Sequence, residues 1–334
     1  MTFSQDDIRP EIFTDDKLQA LHKDLERLRL HQSAFVEVNC PACGSSSKHF
    51  VFEKYGFQFV ECILCETVYM SPRATPEILR EFYAHSVLYD YWNKHIFPAS
   101  QQVRREKIFK PRVERILDIC TRHTIETHCL VEVGAGFGTF CDEVNNTGKF
   151  KRVIAIEPSS SLAESCRAAG LEVIENTIEN ITQLDTAIDV ITAFEVIEHL
   201  FSPQDFLMHC KRLLASNGLI VVSCPNFKGF DISLLAPKSD SLDAEHINLF
   251  NPDSLDLLFT HCGFEVLERT TPGELDAEIV RDKVISGEYS LEGQPFLKTV
   301  LIDRWDELGK PFQAFLKQHE LSSHLWLVAR KVKD

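Results

Sequence analysis

Four cysteines in two close pairs are the first residues of this chain that could do chemistry. Cys40-Pro-Ala-Cys43 and Cys62-Ile-Leu-Cys65 have the form C-x2-C…C-x2-C, with 18 residues between the pairs. Each C-x2-C turn presents two thiolates to one ion, and two such turns complete a tetrahedron, so the spacing predicts zinc on Cys40, Cys43, Cys62 and Cys65. Four thiolates leave no open position for water or substrate; the expected zinc is structural, with Zn–S bonds of about 2.3 Å. Gly44 suits the tight turn after the first pair, and Phe50, Val51, Phe52, Phe57, Phe59 and Val60 read as strands of a small ribbon. A segment this small buries little apolar surface, so metal binding is expected to supply much of its folding energy. The other seven cysteines (Cys120, Cys129, Cys141, Cys166, Cys210, Cys224, Cys262) lie among apolar residues and read as small core hydrophobes.

The second constellation is Val131-Glu132-Val133-Gly134-Ala135-Gly136-Phe137-Gly138-Thr139-Phe140, a strand ending in a glycine turn that feeds a helix. Such a turn lets a ligand lie directly against the backbone. A pyrophosphate on the helix N-terminus, as in dinucleotide binding, is disfavoured by Glu132 beside the turn, whereas a cofactor carrying an amine and a sulfonium tolerates it. Glu157, 19 residues past Gly138 at the end of the next strand, can accept hydrogen bonds from both hydroxyls of an adenosine ribose. A third stretch, Asp189 to Leu200, closes another strand with Phe194, Glu195, Glu198 and His199.

Taken in order, VEVGAGFG, IAIEPS, DVITAFEVIEHL and LLASNGLIVVSCPN resemble the class I S-adenosylmethionine-dependent methyltransferases, over roughly residues 115–270 plus the last strand. The resemblance implies an α/β fold with a Rossmann-like seven-stranded sheet, ordered 3-2-1-4-5-7-6 with the seventh strand antiparallel, here joined to an N-terminal zinc ribbon and helical additions. It implies that Glu132, Gly134, Ala135 and Gly136 hold the methionine end of S-adenosylmethionine and Glu157 the ribose. Asn176, Thr177 and Ile178 would border the adenine, and Phe194 and Glu195 the methyl-donor pocket. The E-x-x-E-H order at 195–199 is not that of an inverted zinc protease.

A zinc ribbon ahead of such a domain is similar to bacterial sugar and surface-glycan methyltransferases. Those that methylate sugar carbon usually add a sizeable C-terminal domain, for which the residues after 273 are too few. The expected reaction is therefore O-methylation of a sugar or nucleotide-sugar hydroxyl. C- or N-methylation of a small metabolite, or a catalytically inactive methyltransferase-like binding module, are the alternatives. A hydroxyl acceptor benefits from a base titrating near neutral pH. His199 follows the fourth strand and His246 follows the fifth, in Asp243-Ala-Glu-His-Ile-Asn-Leu-Phe250, both near carboxyl strand ends where open α/β sheets bind ligands. Glu195 and Glu198 are expected to raise the pKa of His199, as Asp243 and Glu245 would that of His246.

The elements that must position these groups follow from periodicity. Leucines at 18, 21, 25 and 28 line one face of a helix within 1–35. Fewer than three heptads are present, which favours packing on its own domain over a dimerising coiled coil and leaves a homodimer open. Residues 36–75 form the ribbon, and 76–118 a helical segment whose Tyr83, Tyr89, Tyr91 and Trp92 are expected to roof the crevice. Residues 119–272 alternate short apolar runs with helices, as a covered parallel sheet requires. Residues 273–323 read as a helical insertion before a last strand at 324–334.

Composition bounds the rest. The 334 residues are 44% hydrophobic and 25% charged, which is globular. A formal net charge of −15 without a basic stripe disfavours nucleic acid as a partner. No run approaches the roughly 20 apolar residues of a membrane span. The start shows no secretory pattern, and the odd count of 11 cysteines suits a reducing compartment, so a cytoplasmic protein acting on a small molecule is expected.

Overall fold

The computed structural model describes Asp7 and residues 14–332; the readings made on the other residues of 1–13 and on 333–334 lie outside the described residues. Helix α1 (Thr14–Leu30) spends its leucine stripe on its own chain. Leu25 and Leu28 share one apolar cluster with Phe57, Phe59, Leu79 and Phe82, while Leu18 stays exposed. Strands β1 (Lys48–Lys54), β2 (Phe57–Cys62) and β3 (Val68–Met70) form an antiparallel meander. A bridge between Val36 and Arg73 closes its two ends.

The helical segment begins with α2 (Pro76–Ala84), capped by Thr75 with proline at its first position. Helices α3 (Val87–Tyr91), α4 (Phe97–Arg104) and α5 (Lys110–Arg122) follow, joined by single wide turns at Trp92–Ile96 and Arg105–Phe109. The start of this rod is tied to α1. Buried Asp24 accepts from the Ser86 hydroxyl at 2.6 Å and from the Val87 and Leu88 amides at 2.9 Å each.

The central sheet follows: β4 (Cys129–Val133), α6 (Thr139–Thr147), β5 (Arg152–Ile156), α7 (Ser160–Ala168), β6 (Glu172–Ile174), β7 (Ile188–Phe194), α8 (Pro203–Leu213) and β8 (Leu214–Pro225). Then come α9 (Phe230–Leu235), β9 (Asn248–Leu249), α10 (Pro252–His261), β10 (Phe264–Thr270), α11 (Asp276–Ile285), α12 (Trp305–Gln318) and β11 (His324–Lys331). The strand order is β10-β11-β8-β7-β4-β5-β6, with β11 antiparallel to both neighbours. Counted along this sheet alone, that is the 3-2-1-4-5-7-6 order expected. β4 and β7 are buried along their whole length because both faces are covered, which is why their sequences run apolar without alternation. β8 begins at Leu214, five residues ahead of the apolar run that opens at Leu219, and its register against β7 slips between Ile188 and Val190. The turn-like Ser216-Asn217-Gly218 is carried as an irregularity inside the strand.

β9 does not belong to this sheet. It pairs antiparallel with β3, Val68 opposite Leu249 and Tyr69 opposite Asn248, giving the ribbon a fourth strand drawn from the far side of the core. Ribbon residues Cys40, Ala42, Val60, Cys62 and Tyr69 share an apolar cluster with β4, β7 and β8. Arg73, buried, donates to Asn248 Oδ1 at 2.7 Å and to the Phe201 carbonyl at 2.6 Å, and Asn251 donates to the carbonyls of Cys65 and Glu66. α11 and α12 pack with Phe230 and Leu235 of α9 around Val280 and Leu301. No helix among the described residues is long and apolar enough to cross a membrane.

Candidate active site

The glycine turn leaves β4 at Val133 and enters α6 at Thr139. Gly138 has φ +72°, and a Cβ there would meet Leu171 at 2.3 Å, so only glycine lets the turn close on its neighbours. At Gly136, φ +56°, a Cβ would meet nothing within 4 Å: the space beside it is open. The Gly136 amide donates to Glu157 Oε2 at 2.8 Å and the Ser159 amide to Oε1 at 2.9 Å. Glu157 is 5% exposed; burial raises its pKa and these two amides oppose the rise. Each carboxylate oxygen accepts one such bond and retains capacity for a second, directed donor. Buried Glu132 is pushed up to about 8 by desolvation, against a 3.1 Å contact from the Cys141 thiol and the charge of Arg112. A site that holds one carboxyl nearly neutral and another half-paired beside open backbone fits a cofactor bringing a cation and a diol. These two carboxyls and the open Gly136 are the groups that would hold it.

Asn176, Thr177 and Ile178 follow β6, whose Ile174 carbonyl accepts from the Glu157 amide. Asn176 and Thr177 are exposed, and Asn176 Oδ1 is engaged by the Thr177 amide and Asn180 Nδ2. Ile178 is buried in the core, so its side chain packs inward and only its neighbours face outward.

At the tip of β7 the chain turns sharply. Glu195 adopts φ +56°, a left-handed conformation that costs a non-glycine residue energy and occurs where surroundings enforce it. Its carboxylate accepts from Ser223 Oγ at 2.6 Å and lies 3.5 Å from His324 Nδ1 and 3.9 Å from Arg112. Desolvation works to raise its pKa, but His324, Arg112 and Ser223 outweigh it and hold the carboxyl below the ordinary value. Phe194 packs between Arg112, Phe140 and Trp326, inside the core rather than on the crevice wall.

His199 and His246 meet face to edge, 4.7 Å between ring centroids. His199 Nδ1 donates to the Glu245 carbonyl at 3.1 Å, and His246 Nδ1 to the Ser241 carbonyl at 2.7 Å. A carbonyl can only accept, so both rings carry their proton on Nδ1 and leave a lone pair on Nε2. An Asx turn fixes His246: Asp243 Oδ1 accepts from the Glu245 and His246 amides at 2.9 and 2.8 Å. The expected rise in the His199 pKa is not found. Burial and His246 push it down to about 4, outweighing Asp243, the Glu245 carbonyl and Glu195, which act in the expected direction.

The aromatic roof divides. Tyr83 stands edge-on to His199 at 6.1 Å with its hydroxyl 3.4 Å from Nδ1, and Tyr89 packs edge-on to Tyr83 at 5.8 Å. Trp92 packs on Phe97, which in turn packs on Phe137 of the glycine turn at 5.2 Å. Tyr91 pairs with His95 instead. Arg112, Ser223, His324 and Phe97 escaped sequence reasoning. Only Phe97 and Arg112, on the segment already expected to roof the crevice, carried any hint.

The four ribbon cysteines bring their Sγ atoms within 4.8 Å of one another, with Cys40–Cys65 and Cys43–Cys62 at 3.5 Å. Four sulfurs about 2.3 Å from one tetrahedral ion are separated by about 3.8 Å, so the quartet fits zinc.

An open sheet of this order, with a glycine turn and an acidic residue at the next strand's tip, defines a Rossmann-like domain built for an adenosine-bearing cofactor. The sequence profile of a family described as a methyltransferase domain matches residues 99–269, about half of the chain, and the chain belongs to that family. A probable S-adenosylmethionine-dependent methyltransferase of Mycobacterium tuberculosis is 27% identical over 153 residues, covering 45% of this chain and 52% of that protein. A ubiquinone biosynthesis O-methyltransferase of a Bradyrhizobium species is 26% identical over 184 residues, 53% of this chain and 64% of that one. The chain thus spans about half the length of the first of these relatives. A solved S-adenosylmethionine-dependent methyltransferase structure from Clostridium acetobutylicum overlaps 73% of this chain and 99% of its own, at 11% identity and a TM-score of 0.48.

Proposed function

We propose that this protein transfers the methyl group of S-adenosylmethionine to a hydroxyl oxygen of a small molecule, a sugar or nucleotide-sugar. The observation that carries the reading is the pair Glu157 and Gly136: a buried carboxylate with remaining acceptor capacity beside backbone that a side chain would fill. Glu157 takes the ribose hydroxyls, Glu132 and the turn at Gly134, Ala135 and Gly136 the methionine amine, and Asn176 and Thr177 flank the adenine with the backbone of Ile178. In the reaction the acceptor oxygen attacks the methyl carbon in line. The O–C bond forms as the S–C bond breaks, sulfur keeps the electron pair as S-adenosylhomocysteine, and the hydroxyl proton leaves toward the His199, His246 and Glu195 end. Positioning supplies much of the rate.

The relatives named as O-methyltransferases support a hydroxyl acceptor, and Tyr83 and Tyr89 above His199 offer aromatic surface for a sugar face. One structural zinc on Cys40, Cys43, Cys62 and Cys65 completes the reading, with the protein working in the cytoplasm. Calorimetry with S-adenosylhomocysteine, followed by mass analysis of a panel of sugar, phenol and amine acceptors, tests it. Cofactor binding and a gain of one methyl on a sugar oxygen are expected. Absence of binding overturns the whole reading; methylation confined to phenols or amines overturns the sugar; binding without turnover on any acceptor favours the inactive module.

A further inference from the structure

We infer that Glu198, His199 and His246 hold a divalent transition-metal cation at the acceptor end of the crevice. The inference rests on the methyltransferase reading and adds to it the means by which that site handles its acceptor.

The first observation is a misfit. Glu198 is 1% exposed, and neither of its oxygens has a hydrogen-bond partner in another residue. Leaving a buried polar group unmatched is costly, and a buried charge more so, which points to a partner that protein atoms do not supply. The surroundings do not supply a positive one. The charged groups that act on it, Glu195 and Asp243, are themselves carboxyls. Arg112 and His324 face Glu195.

The second observation is independent of charge. One ligand atom each from Glu198, His199 and His246 lies within 4.8 Å of the others. Both imidazoles are oriented by backbone carbonyls on Nδ1, which leaves each Nε2 lone pair for a ligand. Metal-binding histidines are held in this way, the outer hydrogen bond fixing tautomer and ring direction. Two imidazole nitrogens and one carboxylate oxygen suit Mn²⁺, Fe²⁺ or Zn²⁺ better than Mg²⁺, and three ligands leave positions open. The ribbon is the opposite case, four sulfurs with none open. A cation here polarises an acceptor hydroxyl. With both Nε2 lone pairs engaged, exposed Glu195 or water is left to take the proton.

A proton on Glu198 is the competing partner, and the two are separable. The full-length, zinc-loaded protein is titrated into Mn²⁺ while the paramagnetic resonance signal of the free ion is followed, with and without S-adenosylhomocysteine. Loss of one equivalent of free Mn²⁺ per chain is expected, weakened about tenfold or more in Glu198→Gln and in His246→Ala. S-adenosylhomocysteine affinity in both variants serves as the check that the fold is intact. Glu198→Gln removes a charge without changing shape, so it stays folded even where His246→Ala does not. An undiminished free-ion signal assigns the site to a proton and overturns the inference. Binding that survives in folded variants places the ion elsewhere and overturns it too. Failure to bind S-adenosylhomocysteine sinks the underlying methyltransferase reading, which the Mn²⁺ signal reports on separately.

Discussion

Glu157 and Glu132 are both buried carboxyls beside the glycine turn, and they are held in opposite ways. Glu157 has two backbone donors, while Glu132 leans on Cys141 and the more distant charge of Arg112, and its pKa is pushed up to about 8. Removing Glu157 should cost charge-assisted bonds to the ribose worth about 1.5–3 kcal/mol. Glu157→Ala should therefore bind S-adenosylhomocysteine roughly 10- to 150-fold more weakly in calorimetry; unaltered affinity removes the residue from the site. Glu132 makes a pH prediction. Its folded pKa lies above the unfolded value, so folding takes up a proton and stability falls as pH rises through the carboxylate range towards about 8. Glu132→Gln should escape that loss, so its melting temperature should gain on the parent protein between pH 5.5 and 8.5. An amine bound beside Glu132 favours its ionised form, so S-adenosylhomocysteine binding at pH 7 should release a proton in the parent protein and not in the variant. Calorimetry in buffers of different ionisation enthalpy reads this directly, and equal proton release in both proteins would clear Glu132 of the role.

At the scale of elements, the strands β4, β5, β7 and β8 were legible because buried parallel strands announce themselves as apolar runs between turns, and β11, antiparallel but equally buried, reads the same way. The cysteine quartet was legible from spacing alone. β9 was not: two residues carry no periodicity, and their pairing is decided by what β3 presents across the fold. His324 and Ser223 were missed for the same reason, since they reach Glu195 from separate strands. The division of the roof between His199 and the glycine turn was equally invisible, because it depends on how the wide turns at Trp92–Ile96 and Arg105–Phe109 bend the rod. That rod has an anchor open to testing. Asp24 receives three hydrogen bonds at the start of α3, so Asp24→Ala should lose about 1 kcal/mol of capping and free the segment carrying Tyr89. Amide exchange should accelerate at Val87–Trp92 and turnover should fall while S-adenosylhomocysteine affinity holds. Unchanged exchange there would show that the roof is held by other contacts.

At the scale of the whole molecule the ribbon and the core are mechanically one piece, and the join runs through the acceptor end. The segment from Ser239 to Asn251 carries Asp243, Glu245 and His246, and its far end is fastened to the ribbon: β9 to β3, Asn248 to Arg73, Asn251 to the carbonyls of Cys65 and Glu66. The glycine turn and Glu157 meet the ribbon only through apolar packing on β4, and are held by the β4–β5 pairing and the Gly136–Glu157 hydrogen bond. Zinc loss should therefore act unequally on the two ends. A ribbon without its ion has too little apolar burial to hold its shape, and β3 would no longer offer an ordered edge to β9. Cys62→Ser should contain no zinc, keep S-adenosylhomocysteine affinity within a few-fold of the parent, and lose most turnover as His246 loses its position; removing a positioned catalytic group costs about 10²–10⁴-fold. Amide exchange should rise together in Val68–Met70 and Ile247–Asn251, a coupling that a detached zinc module would not produce. Near-normal turnover in the zinc-free variant would show that the ribbon serves another purpose, and loss of cofactor binding together with turnover would show that the two ends are not separately supported.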